Sequence, residues 1–213
     1  DRVQVVTPVA REIAQGLLVS SGGVLRGRVA LEGRADQTAL ADVALREVGS
    51  YLSIENDQLA ENDVDPERQG IQLPLQADGS FELLQVPAGR FDLNLHVDGF
   101  LDGWVPNLRL APGQELDDLR PSSYGMPTDS LMLGGDVAGY FDVDGISKPD
   151  NEITLSDWDF VASLYKREIA PEADSMRADI NANGTVDIND LTMIGKNFRT
   201  RGPRPVYKRT SNL

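Results

Sequence analysis

The chain has 213 residues, with 34 acidic against 20 basic side chains and a net charge of −14; the length suits one large or two small domains, and the charge excludes nucleic acid as the main partner, because phosphate binding needs a basic face. With no cysteine and a single histidine, His96, a disulfide framework, a thiolate metal site and a two-histidine zinc site within one chain are excluded as well. An acidic surface instead suits a hard cation such as Ca2+, which takes oxygen ligands.

In chain order, residues 1–23 read as an N-terminal arm ending in Gly22-Gly23. Val3, Val5, Thr7 and Val9 alternate as a strand would, and Pro8 suits an edge position. The arm pairs either within its own sheet or, as a donated strand, with a neighbour's. Residues 24–120 read as an antiparallel β-sandwich. "VLRGRVALEG" alternates, and Leu40, Val43 and Leu45 mark a further strand. Asp78-Gly79 is a turn followed by Phe81 and Leu83, and Pro87-Ala88-Gly89 is a second turn. Phe91, Leu93, Leu95 and Val97 then share one face with period two. The polar stretch 52–70 is a solvated loop or an extra cation or partner site. Residues 121–132, rich in Pro, Gly and Ser, read as a linker.

Residues 133–198 read as a small α domain with two EF-hand-like calcium loops. The clearer loop opens at Asp179, with Asn181 and Asn183 at positions three and five and Gly184 at the sharp turn. Thr185 offers its carbonyl at seven, Asp187 sits at nine, and Asp190 closes the shell at twelve. Asp in place of Glu at twelve shortens the reach. A second copy lies thirty-three residues earlier: Trp158, Val161 and Tyr165 precede Leu191, Ile194 and Phe198, and Asp157 precedes Asp190. Those residues are expected to form the core between two helices. The first loop opens at Asp136 and continues through Asp150, Glu152 (by its carbonyl), Thr154 and Asp157, with about ten extra residues inserted. Asp142 and Asp144 in the insertion complete the shell or hold a second ion. The tail, 199–213, carries Arg201 and Arg204 and no acidic side chain.

Two resemblances add to this reading. Gly27 to Leu31, Val43-Ala44-Leu45, Asp78-Gly79-Ser80-Phe81, Val86-Pro87-Ala88-Gly89 and Phe91 to Phe100 resemble the carboxypeptidase regulatory-like, or transthyretin-like, sandwich family over roughly residues 24–112. That family implies a sandwich serving as a non-catalytic spacer or adhesive unit. Gly135-Asp136-Val137, "ITLSDWDFVASLY" and "ADINANGTVDINDLTMIGKNF" resemble a dockerin, the calcium-dependent docking module of bacterial and archaeal extracellular proteins. In cellulosomal dockerins a Ser-Thr pair usually precedes the closing acid and selects the cohesin partner. Here Leu155-Ser156 and Ile188-Asn189 stand at those positions.

Two functions stay open. One is a non-catalytic, calcium-binding extracellular structural protein that assembles head to tail with other copies of itself into a filament, using Val3, Val5 and Val9 of the arm and Arg201 and Arg204 of the tail. The other is a dockerin-type adaptor that binds a separate cohesin-like receptor. No enzyme is expected: the acids fall in calcium spacing or in loops, and His96, beside apolar neighbours in its strand, reads as structural. No apolar run approaches membrane-spanning length. A chain opening on Asp1 reads as a mature secreted protein that has lost its signal peptide, or as an excised piece; the expected location is extracellular or the cell surface.

Overall fold

A computed structural model of the chain describes residues 22–47, 71–124, 130–141, 147–167 and 173–203. The arm, the 52–70 insert, Asp142, Asp144 and most of the tail, Arg204 included, lie outside the described residues. The first strands are β1 (Gly23–Arg28), β2 (Ala30–Leu31), β3 (Ala39–Glu47), β4 (Ile71–Leu75) and β5 (Ser80–Val86). They are followed by β6 (Gly89–His96), β7 (Gly99–Phe100), β8 (Gly103–Leu110) and β9 (Glu115–Leu119). Two sheets result, one ordered β5-β1-β9 and one ordered β4-β3-β6-β8. Alternation explains why they face each other. Leu25, Phe81 and Leu83 of the first sheet and Val43, Leu73, Leu93 and Leu95 of the second are all buried in one core. Each such side chain contributes roughly 1.5–3 kcal/mol by leaving water. The turns at 76–80 and 87–88 each carry the chain from one sheet to the other rather than closing a hairpin within a sheet.

The sequence predicts a wholly antiparallel sandwich; the structure corrects this. β1 runs parallel to β9, and β2 runs parallel to a later strand, β10 (Leu131–Met132). Those pairs join segments far apart in the chain, so no tight hairpin dictates their direction. Periodicity shows which face is buried and says nothing of strand polarity.

The second half begins with β10, β11 (Gly134–Asp136) and a hairpin of β12 (Gly139–Phe141) and β13 (Ser147–Pro149). Three helices follow: α1 (Leu155–Ser163), α2 (Ala173–Ala178) and α3 (Ile188–Lys196). The halves are stitched together through their backbones. β10 pairs with β2, and β11 pairs antiparallel with β7. Of the expected linker, Ser122 bridges to Trp104, and the Ser123 hydroxyl donates to the Leu101 carbonyl (3.0 Å) and accepts from the Leu133 amide (3.1 Å).

Side chains complete the seam. The Arg34 guanidinium lies over the Phe100 ring at 5.0 Å, and its Nε donates to the Ile180 carbonyl at 3.0 Å. Lys196 and Asn197 donate to Glu32. Met193 packs where a Cβ on Gly134 would fall 2.2 Å from its Sδ, so only glycine lets α3 approach this closely. One buried cluster runs from Leu25 to Ile194 through both halves. Among the described residues no helix is long and apolar enough to cross a membrane.

Candidate functional site

The stretch between α2 and α3 forms a closed loop because its carboxylates and amides accept from backbone groups that no helix can satisfy. Asp179 accepts from the Asn183 amide on Oδ1 (3.0 Å) and from the Gly184 amide on Oδ2 (2.8 Å). Asn181 Oδ1 accepts from Asn183 N (2.9 Å), and Asn183 Oδ1 from Thr185 N (2.9 Å). Asp187 caps α3 by accepting from Asn189 N (2.7 Å). Asp190 accepts from Asp187 N (2.9 Å) and Asn181 N (3.3 Å). Gly184 turns with φ +92° in open space. Ile180 and Val186 point inward and are buried. All six expected residues of this loop are therefore gathered on one short segment.

The first loop repeats most of this plan, although Ala138, two residues after the opening Asp136, offers no side-chain acceptor where loop two has Asn181. Asp136 accepts from Asp150 N (3.1 Å) and Asn151 N (2.9 Å), as Asp179 does from Asn183 and Gly184. Asp150 accepts from Glu152 N (3.1 Å). Thr154 caps α1 through Ser156 N (3.2 Å), and Asp157 accepts from Thr154 N (2.6 Å). The expected set Asp136, Asp150, Glu152, Thr154 and Asp157 is thus brought together. The β12–β13 hairpin is the insertion; it leaves after Ala138 and returns before Asp150.

The turn position of loop one was missed at the sequence level, although the thirty-three-residue offset from Gly184 lands on it. It is Asn151, at φ 65°, a left-handed conformation that Asn tolerates better than most residues. Its side chain binds in two directions. Oδ1 accepts from Asp102 N (3.0 Å) and Nδ2 donates to the Pro203 carbonyl (3.3 Å). Asp102 in turn meets His96 Nδ1 at 2.8 Å and accepts from Asn94 Nδ2 at 3.1 Å. His96 therefore sits in a polar link between the sandwich and loop one.

The helix exits are reciprocal. Lys166 N donates to Val186 O in loop two (2.9 Å), and Arg199 N, thirty-three residues on, donates to Ile153 O in loop one (2.8 Å). Lys166 and Arg199 share φ values of 61° and 65°. Each repeat ends on the other's loop, as two halves related by a twofold axis do. Arg201, expected to meet a partner, pairs with Glu152 of its own chain at 3.1 Å.

The donor set is all oxygen, which suits a hard cation. Burial pushes the Asp136, Asp157 and Asp190 carboxyls above the usual carboxylate range, and the neighbouring Asp157 charge raises Asp136 further. A cation would relieve that cost. Among the described residues, however, no group of three or more His, Asp or Glu side chains converges as a metal site requires; amides and backbone carbonyls have to supply the balance. The two loops also differ in spare capacity. Asp157 accepts four hydrogen bonds, including those from Val137 N (2.8 Å) and Ala138 N (2.9 Å), whereas Asp190 accepts two. A carboxylate has about four lone-pair sites, so of the two closing acids Asp190 is the freer to take an ion.

The expected aromatic core between the helices is corrected by the structure. Val161, Leu191 and Ile194 are buried, but Trp158, Tyr165 and Phe198 remain 38%, 38% and 39% exposed. Tyr165 lies beneath Lys166 and Phe198 beneath Arg199, each near the surface. The sandwich offers α3 an apolar support that the repeat pattern could not reveal, and Met193 takes that side. Leu155 and Ile188, at equivalent helix starts, are 64% and 59% exposed.

No protein-family profile and no curated protein matches the chain. Solved structures do. A chain of an N-terminal interface mutant of a type II Cohesin-X-Dockerin complex from Acetivibrio cellulolyticus matches over 85% of this chain and 98% of its own, at 18% identity and a TM-score of 0.52. A chain of the C-terminal interface mutant of that complex matches over the same shares at 18% identity and a TM-score of 0.54. A DUF3823 family protein from Bacteroides ovatus matches over 53% of this chain and 44% of its own, at 12% identity and a TM-score of 0.28. A coverage of 85% has to include the loop-and-helix half as well as the sheets. This chain shares the fold of a component of a Cohesin-X-Dockerin complex.

Proposed function

We propose that this chain is a non-catalytic, extracellular docking module that holds Ca2+ in its two loops and binds a cohesin-like receptor through the outer face of α1 and α3. Asp179, Asn181, Asn183, Thr185, Asp187 and Asp190 hold one ion. Asp136, Asp150, Glu152, Thr154 and Asp157 hold the other, more weakly, because Asp157 is already taken up by backbone donors. The ions supply positive charge against clustered carboxylates and so fix the starts of both helices.

The observation that carries the docking role is the exposed pair Leu155 and Ile188. A duplicated plan that buries Val161 and Ile194 leaves these two large apolar side chains in water at equivalent places. Trp158 extends the apolar face, and its ring reaches to 3.8 Å of a Cβ placed on Gly195 of α3. Such patches on an otherwise acidic surface mark interaction sites. The likeness to a Cohesin-X-Dockerin component supports the same reading.

The test is calorimetric titration of the full chain with a type II cohesin domain, once with excess calcium and once with chelator, together with sedimentation of the chain alone. Calcium-dependent 1:1 binding is expected. A chain that ignores cohesin and forms polymers in calcium would replace the docking reading with head-to-tail self-assembly through the arm and tail. A chain that takes up no calcium would overturn both.

A further inference from the structure

Asn183-Gly184 is the only Asn-Gly pair in the chain. It lies at the turn of loop two, exposed to solvent. Asn-Gly is the dipeptide most open to spontaneous deamidation, because glycine carries no side chain to shield its nitrogen. A Cβ at Gly184 would meet nothing within 4 Å, so no neighbouring side chain guards the pair by bulk. Only hydrogen bonds guard it. Gly184 N is committed to Asp179 Oδ2 at 2.8 Å. Asn183 Oδ1 is committed to Thr185 N at 2.9 Å, and Nδ2 reaches Asp187 Oδ2 at 3.4 Å. The nucleophile and the carbonyl it would attack are held in separate bonds.

We infer that Asn183-Gly184 is a self-modification site whose access is controlled by the cation in loop two; the inference rests on the calcium reading above. In the opened loop, Gly184 N loses its proton and attacks Asn183 Cγ. The side-chain nitrogen leaves as ammonia and a five-membered succinimide closes. Water then adds to one of the two imide carbonyls and breaks its bond to nitrogen, leaving aspartate or isoaspartate at position 183. No oxidant or reductant is needed.

The two products act in opposite directions. Aspartate keeps an acceptor for Thr185 N and adds a carboxylate beside Asp187, which raises the ligand charge of the site. Isoaspartate inserts one carbon into the main chain, moves Gly184 N away from Asp179 and breaks the loop. Either product is a permanent record that a molecule has spent time without its ion.

The full chain is incubated at mildly alkaline pH with excess calcium, with chelator, and with denaturing urea. Deamidation at position 183 is read by peptide mass mapping, and isoaspartate by enzymatic methyl labelling. Calcium binding to the same preparation is measured by titration calorimetry. The rate in chelator is expected to exceed that in calcium by at least about tenfold, the ratio set by the loop's opening equilibrium, and to approach the rate in urea. Asn183→Gln, which removes the five-membered ring closure, is expected to abolish the signal. Equal rates with and without a calcium that demonstrably binds would overturn the inference and leave the calcium reading intact. Modification confined to urea would overturn control by the cation. Absence of calcium binding would sink the reading and the inference together.

Discussion

The two loops share a hydrogen-bond plan and differ in what surrounds it. Loop two turns on Gly184 in open solvent. Loop one turns on Asn151, whose side chain grips Asp102 of the sandwich and Pro203 of the C-terminal segment, and its opening Asp136 lies in a strand paired with β7. Loop one is thus bolted to the sandwich through its own turn residue, whereas loop two meets the sandwich half away from its turn, where the Ile180 carbonyl accepts from Arg34 Nε. A duplicated element keeps its local geometry because backbone groups must be satisfied in both copies. It diverges wherever one copy meets a neighbour that the other does not.

Substitutions on either side of that contrast test it. The largest effect is expected at Ile194, fully buried beside Gly135 of the strand that opens loop one and part of the cluster shared by both halves. Ile194→Ala should cost about 2–5 kcal/mol through the cavity it leaves, read as a lower denaturant midpoint. A loss below about 1 kcal/mol would show that the helices do not share the sandwich core.

Removing calcium comes next. An ion at a hundredfold its Kd stabilises by about 2.7 kcal/mol per site. Chelation should therefore lower Tm, and hydrogen exchange should rise at Gly134–Asp136 and at Gly99–Phe100, since the strand opening loop one pairs with the sandwich. Faster exchange confined to residues 179–190 would mean that loop one carries no ion.

Asn151→Gly separates the two roles of loop one. Glycine accepts the left-handed turn, so the loop itself survives. The Asp102 amide then loses its acceptor, at a cost of about 1–3 kcal/mol, while calcium affinity at loop two stays the same. Unchanged stability would remove the bolt from the picture.

The smallest effect is expected at the exposed pair. Leu155→Asp and Ile188→Asp should each shift stability by no more than about 0.5 kcal/mol, yet weaken receptor binding by roughly tenfold or more if they anchor it. If binding falls for one and not the other, the receptor reads one repeat only.

Much of this was legible from residue order. The spacing Asp179, Asn181, Asn183, Gly184 and Asp190 produced a loop whose bonds close as that spacing implies, because a tight turn is dictated by residues close in sequence. The period-two runs through Leu93 and Leu95 and through Phe81 and Leu83 placed the core of the sandwich for the same local reason. The thirty-three-residue offset located loop one despite its inserted hairpin.

Other features depended on contacts between residues far apart. Nothing in the spacing shows that β1 and β9 run parallel, because direction is set by how the chain returns across the sandwich. Nor does it show that 121–124 and 130–132 bind into the sheets rather than bridging two bodies. The repeat assigned Trp158, Tyr165 and Phe198 to a helix–helix core on period alone. Tertiary packing instead set Met193 of α3 against Gly33 and Gly134, and left those aromatic rings half in water. Local sequence determined the loops and the alternating faces, since their energetics close within a few residues. The seam between the halves, the asymmetry of the two loops and the exposure of the apolar face on α1 and α3 were decided only when distant segments competed for the same buried surface.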